Sequence, residues 1–154
     1  MIPGIERNPR EASAAPREPP VDAGLILVID ESVPIRRKLV EILQKMGTST
    51  GRVIEATTGD EALAAFRQHR PRVVFAEFVG VHPEDGLEII HEILDIEPAT
   101  RVVLVTAEPR ESAEVRAALR AGVFAYIEKP LRYEKIRGAL ADLEAEEGGI
   151  ERFR

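Results

Sequence analysis

Residues 25–32 read Leu-Ile-Leu-Val-Ile-Asp-Glu-Ser (LILVIDES), five consecutive apolar residues running straight into an acidic pair. A short unbroken apolar run bounded by polar residues is the pattern of a strand buried on both faces, as in a parallel sheet. Three further runs repeat it. RVVFAE ends on Glu77, RVVLVT on Thr106, and FAYIEKP on Lys129-Pro130. Ligands of open α/β sheets sit beyond the carboxyl ends of the strands. Parallel pairing of these runs therefore gathers an acidic pair, a lone carboxylate, a hydroxyl and an ammonium at one edge, a set suited to phosphate chemistry.

The segments between the runs have helical spacing. Ser32 caps a predicted helix carrying Ile35, Leu39, Ile42, Leu43 and Met46 on one face, stopped by Gly47. Val53–Ala56 predicts a second strand, and Thr58 with Glu61 forms a capping box ahead of Leu63 and Phe66. The third strand is predicted at Val73–Ala76. Asp85 is expected to cap the next helix, which carries Leu87, Ile90, Ile93 and Leu94 and ends before Pro98. A fourth strand at Val102–Val105 precedes a helix with Val115 and Leu119, stopped by Gly122. A fifth strand is predicted at Val123–Ile127, and the last helix carries Ile136, Leu140 and Leu143 as far as Gly148-Gly149. This strict alternation predicts an α/β fold: a flavodoxin-like, doubly wound, five-stranded parallel sheet of order 2-1-3-4-5 with helices on both faces. In that order the ends of strands 1, 3 and 4 frame a single crevice.

The 154 residues fit one domain. Residues 1–23, with five prolines among scattered Arg and Glu, read as a disordered arm. Residues 24–147 form the folded unit and 148–154 a short tail. Cysteine is absent, which excludes disulfides and thiolate metal sites. The net charge of -6 argues against a nucleic-acid partner. No apolar stretch approaches the ~20 residues of a membrane span, and the N-terminus lacks a secretory signal. The expectation is a soluble cytoplasmic protein with no membrane partner.

At the predicted crevice, Asp30 and Glu31 are hard oxygen donors of the kind Mg²⁺ favours. The Thr106 hydroxyl can donate to a phosphoryl oxygen, with the small Ala107 leaving room. Lys129 acts as a point charge for phosphate or carboxylate, and a cis bond to Pro130 would aim it inward. His69, His82 and His91 lack metal-ligand spacing and read as surface residues, only His82 lying near the crevice. Arg36-Arg37-Lys38 reads as the solvated face of the first helix. No glycine-rich nucleotide loop, Ser-His-Asp set or HExxH motif is present.

From Leu25 to about Glu146 the chain resembles the receiver domain of two-component response regulators (CheY-like). The residues that carry the resemblance are ILVIDES, VVFAEF followed by DGLEII, LVTA and AYIEKPL, in order and with similar gaps. It implies a signalling module rather than an enzyme. The acidic pair would bind Mg²⁺, an aspartate at the end of strand 3 would accept a phosphoryl group from a histidine kinase, and Thr and Lys would sense its oxygens. A residue of strand 5, often aromatic, changes rotamer with activation. By position these roles fall on Asp30, Glu31, Glu77, Thr106, Lys129 and Tyr126. Partners, whether a histidine kinase or a downstream effector, would dock on the fourth helix, fifth strand and fifth helix, at residues such as Arg116, Arg120, Tyr126, Tyr133 and Arg137. Self-association is the other mode of action.

Two departures from the family pattern bear on function. The acceptor position holds Glu77, one methylene longer than aspartate. In-line transfer depends on attack geometry, where a displacement of ~1 Å can cost ~10²-fold, so little or no phosphorylation is expected at Glu77. Its charge is expected to pair with Lys129 and reach toward Thr106, a partial copy of the phosphorylated state. The loop Phe78-Val79-Gly80-Val81-His82-Pro83-Glu84 is slightly longer than the family's, with its proline displaced. The metal would take a backbone carbonyl from Val79, and Mg²⁺ binding is expected to be weakened or absent. The expected function is a phosphorylation-independent or constitutively active-like protein-binding module. The alternatives are a conventional phosphorelay receiver and a flavodoxin-like, cofactor-binding enzyme.

Overall fold

Strands that are apolar on both faces need cover from both sides, and the chain supplies it. The structure, a computed structural model, describes residues 22–47 and 52–146. Within these residues strands and helices alternate: β1 (Asp22–Ile29), α1 (Val33–Lys45), β2 (Val53–Ala56), α2 (Gly59–His69), β3 (Pro71–Ala76), α3 (Pro83–Ile96), β4 (Arg101–Thr106), α4 (Ala113–Ala121), β5 (Ala125–Glu128) and α5 (Tyr133–Glu146). The five strands form one parallel sheet of order β2-β1-β3-β4-β5, the order the sequence predicts.

Side chains alternate across the sheet and build two cores. Ile26, Val28, Val73, Phe75, Val103 and Val105 pack against Leu39, Leu43, Ile136 and Leu143 of α1 and α5. Leu27, Ile29, Val74, Ala76, Val102 and Leu104 pack against Phe66, Ile90, Ile93 and Val115 of α2, α3 and α4. Burying an apolar side chain of this size is worth about 1.5–3 kcal/mol, so the period-2 alternation of the strands fixes the register firmly.

The caps hold the loops at the carboxyl edge. The Ser32 hydroxyl accepts from the Ile35 N–H, Thr58 from Glu61, and Ser112 from Val115. Several boundaries differ from the sequence expectation. β1 begins at Asp22, which pairs with Pro71, so Asp22 and Ala23 belong to the sheet and not to an arm. The remainder of the predicted arm, and the tail with Gly148-Gly149, lie outside the described residues. His82, not Asp85, is the N-cap of α3; Asp85 sits at the third helical position, and its carboxylate accepts from the His82 N–H at 3.1 Å. β5 starts at Ala125 because Val123 is used elsewhere. Gly122 turns left-handed at φ 112° and the Val123 N–H closes back on the Ala118 carbonyl.

Candidate functional site

Where β1, β3, β4 and β5 end, their last residues line one open cleft of about 280 Å³, formed by Asp30, Glu31, Glu77, Thr106 and Lys129 with Ser32, Phe78, Pro83, Ala107 and Glu108. The register explains the convergence. Ile29 stands beside Ala76, Ala76 beside Leu104, and Thr106 beside Glu128, so the following residues emerge side by side. The Glu77 N–H donates to the Ile29 carbonyl and the Lys129 N–H to the Thr106 carbonyl, which locks the strand ends together.

Lys129 is the centre of the cleft. Its Nζ lies 2.9 Å from Asp30 Oδ2 and 3.0 Å from Glu77 Oε2. The Lys129-Pro130 bond is cis. Burial works to lower the Lys129 pKa, but the hydrogen bonds and charges of Asp30 and Glu77 outweigh it and hold the ammonium above its ordinary value. The other oxygens are also engaged. Asp30 Oδ1 accepts from the Ser32 N–H at 2.9 Å, and Glu77 Oε1 accepts from the Phe78 N–H at 2.6 Å. Glu31, on the exposed side, accepts from the Gly80 N–H at 2.8 Å.

Thr106 does not complete the set as expected. It is buried at the cleft floor, and its hydroxyl accepts from the Glu108 N–H at 3.2 Å. It makes no hydrogen bond to Glu77, whose free reach is spent on Phe78. Tyr126, half-buried on β5, donates its hydroxyl to the Glu108 carbonyl at 2.6 Å, with Arg110 stacked on its ring. Burial, then Glu128 and Glu111, raises the Tyr126 pKa, which keeps that hydroxyl a donor. Glu108 is thus held by its amide from the cleft side and by its carbonyl from the β5 side.

The loop after β3 is positioned by two glycines. Gly80 has φ +114°, a conformation L side chains rarely adopt. A Cβ on Gly86 would stand 2.4 Å from Phe78 Cα and 2.5 Å from the Val79 N, so the start of α3 can press on this loop only without a side chain there. Val79 is buried among the residues of the α2–α3 side.

The acidic pair is the expected seat of a divalent cation. Among the described residues no three Asp, Glu, His or Cys side chains converge as a metal site. Both oxygens of Asp30 and one of Glu31 already hold protein donors.

Two contributors were not legible as site residues. Arg36, read as part of a solvated run, has a side chain only 11% exposed and donates to the Asp30 carbonyl and to Glu55. Its spacing from Leu39 and Leu43, three and seven residues on, places it at the border of the apolar stripe and is the signal that was available. Glu108 carries no sequence signal, since its backbone makes the contacts.

Residues 26–141 match the response regulator receiver domain family. The chain is 27% identical to the chemotaxis protein CheY of Halobacterium salinarum over 118 residues, covering 77% of this chain and 94% of that protein. It is 29% identical to the sporulation initiation phosphotransferase F of Bacillus subtilis over 115 residues, or 75% and 89% of the two chains. Among solved structures, the receiver domain of NtrX from Brucella abortus superposes with a TM-score of 0.66 at 30% identity, covering 80% of this chain and 98% of that one.

Proposed function

Because the chain belongs to the response regulator receiver domain family, we propose that it is a receiver that signals by binding partner proteins without needing phosphorylation, with Glu77 in the acceptor position. The observation that carries this reading is the 3.0 Å contact between Glu77 Oε2 and Lys129 Nζ. A carboxylate already sits where the lysine would meet an oxygen of a phosphoryl group. The mimicry is partial: a phosphoryl group carries ≈ −1.5 to −2 charge and three acceptor oxygens, whereas Glu77 offers two oxygens, one of them turned to Phe78. The engagement of Asp30 by Lys129 and Ser32 supports weak or absent Mg²⁺ binding as part of the same reading. Partners, a histidine kinase or an effector, or a second copy, would meet the α4–β5–α5 face around Arg116, Arg120, Tyr126, Tyr133 and Arg137. The tethering of Glu108 to both Thr106 and Tyr126 supports a connection between that face and the cleft. Family membership favours this signalling role over the cofactor-binding enzyme. Residues 22–47 and 52–146 contain no helix long and apolar enough to cross a membrane.

The test is intact-mass measurement after incubation with Mg²⁺ and a small acyl-phosphate donor. No mass gain is expected. A stoichiometric phosphoryl adduct that disappears in Glu77→Gln would establish the conventional phosphorelay reading instead.

A further inference from the structure

Arg36 stands behind the cleft, not in it. Its side chain reaches from the first turn of α1 in two directions: Nη1 donates to the backbone carbonyl of Asp30, and Nε pairs with Glu55 Oε1 at 3.0 Å near the end of β2. Asp30 is the residue this grip controls. Its carbonyl is held by Arg36, its Oδ1 by the Ser32 N–H and its Oδ2 by Lys129 Nζ. With the carbonyl fixed, the turn into α1 has one orientation and the carboxylate is aimed at Lys129. The planar fork of arginine can serve a carbonyl and a carboxylate together, whereas an ammonium on a flexible stem cannot hold that geometry.

We propose that Arg36 is a positioning residue of the cleft: by clamping the Asp30 carbonyl against Glu55 of β2 it fixes the Asp30 carboxylate between Ser32 and Lys129. The proposal rests on the reading of this cleft as the working centre of the receiver. Its test, however, reads the unmodified protein and needs neither a partner nor a phosphoryl donor, so the two can fail separately.

The experiment is amide hydrogen exchange on the full chain, comparing Arg36→Met and Arg36→Lys with the parent. The Ser32 amide, bonded to Asp30 Oδ1, reports the aim of Asp30; the Phe75 amide in the central strand β3 reports global opening. A role in overall stability alone speeds both by the same factor. A positioning role speeds Ser32 by about tenfold or more beyond Phe75 in Arg36→Met, as expected for the loss of a charge-assisted hydrogen bond. Arg36→Lys, which keeps the charge but not the fork, is expected to show a smaller excess in the same direction. Equal acceleration of Ser32 and Phe75, or no change at Ser32, overturns the proposal. Should Arg36→Met not fold, Arg36→Lys carries the comparison alone on the same criterion.

Discussion

Lys129 Nζ lies 3.0 Å from Glu77 Oε2, while Asp30 Oδ2 approaches the same ammonium at 2.9 Å. The lysine therefore bridges the ends of β1 and β3, and two carboxylates that would repel each other are held on one cation. Most of what distinguishes this cleft follows from that bridge.

Removing the bridge leaves Asp30 and Glu77 facing each other with no counter-charge. Lys129→Met is expected to destabilise the fold by about 2 kcal/mol, the scale of hydrogen bonds to charged groups. Adding Glu77→Gln should recover part of that loss, because one of the two repelling charges is gone. Urea denaturation of both single variants, the double variant and the parent reads the coupling directly. Purely additive losses would show that the bridge carries no coupling energy.

The same lysine sets a pH dependence. Its folded pKa is raised above the unfolded value, so above about 10.4 the folded chain binds the extra proton. Stability falls with pH wherever the native state holds more protons than the unfolded one. The contribution is fully present at neutral pH and is lost as pH rises from about 10.4 through the folded value. Thermal melts between neutral and strongly alkaline pH should show the parent losing its advantage over Lys129→Met in that window. A constant difference across it would contradict the assignment.

Gly86→Ala tests the contact between α3 and the loop after β3. The new Cβ would meet the backbone of Phe78 and Val79 at 2.4 and 2.5 Å, and backbone cannot swing aside as a side-chain tip can. A loss of about 1–3 kcal/mol is expected, with NMR shift changes concentrated at residues 77–80. Destabilisation spread evenly over the sheet would point to another cause.

Glu77→Asp tests whether one methylene decides the chemistry. The shorter side chain withdraws its carboxylate from Lys129 and makes room for a phosphoryl group between them. With Mg²⁺ and an acyl-phosphate donor, this variant is expected to gain one phosphoryl mass that the parent does not. If it gains none while keeping its fold, the obstacle lies in the loop held by Gly80 and Gly86 or in the engaged oxygens of Asp30 and Glu31.

The sheet and the cleft were legible because each apolar run ends on the residue that lines the site. LILVI delivers Asp30, VVFA delivers Glu77 and VVLV delivers Thr106, and parallel register does the rest. Strand starts were less legible. Asp22 enters β1 only because Pro71 lies beside it, and Val123 leaves β5 only because Gly122 folds it back onto Ala118. The position of a cap depends on the same local chemistry: His82 and Asp85 bond each other reciprocally, the His82 N–H to the Asp85 carboxylate and the Asp85 N–H to the His82 carbonyl, and the sequence alone credits the aspartate. The spacing of Arg36 from Leu39 and Leu43 hints at its half-buried place, but its partners do not follow from that period: it joins Asp30 to Glu55 of β2, and Glu108 is tethered by Tyr126 of β5. The expected reach of Glu77 toward Thr106 fails for a local reason, since the neighbouring Phe78 amide takes that oxygen first.

Val81 is 86% exposed at the tip of the loop between Gly80 and His82, and the chain contains no cysteine. Val81→Cys would therefore carry the sole thiol of the protein, placed a few residues from the cleft and outside both cores. A fluorophore attached there becomes a site-specific reporter of whatever approaches the cleft, with no background labelling to subtract.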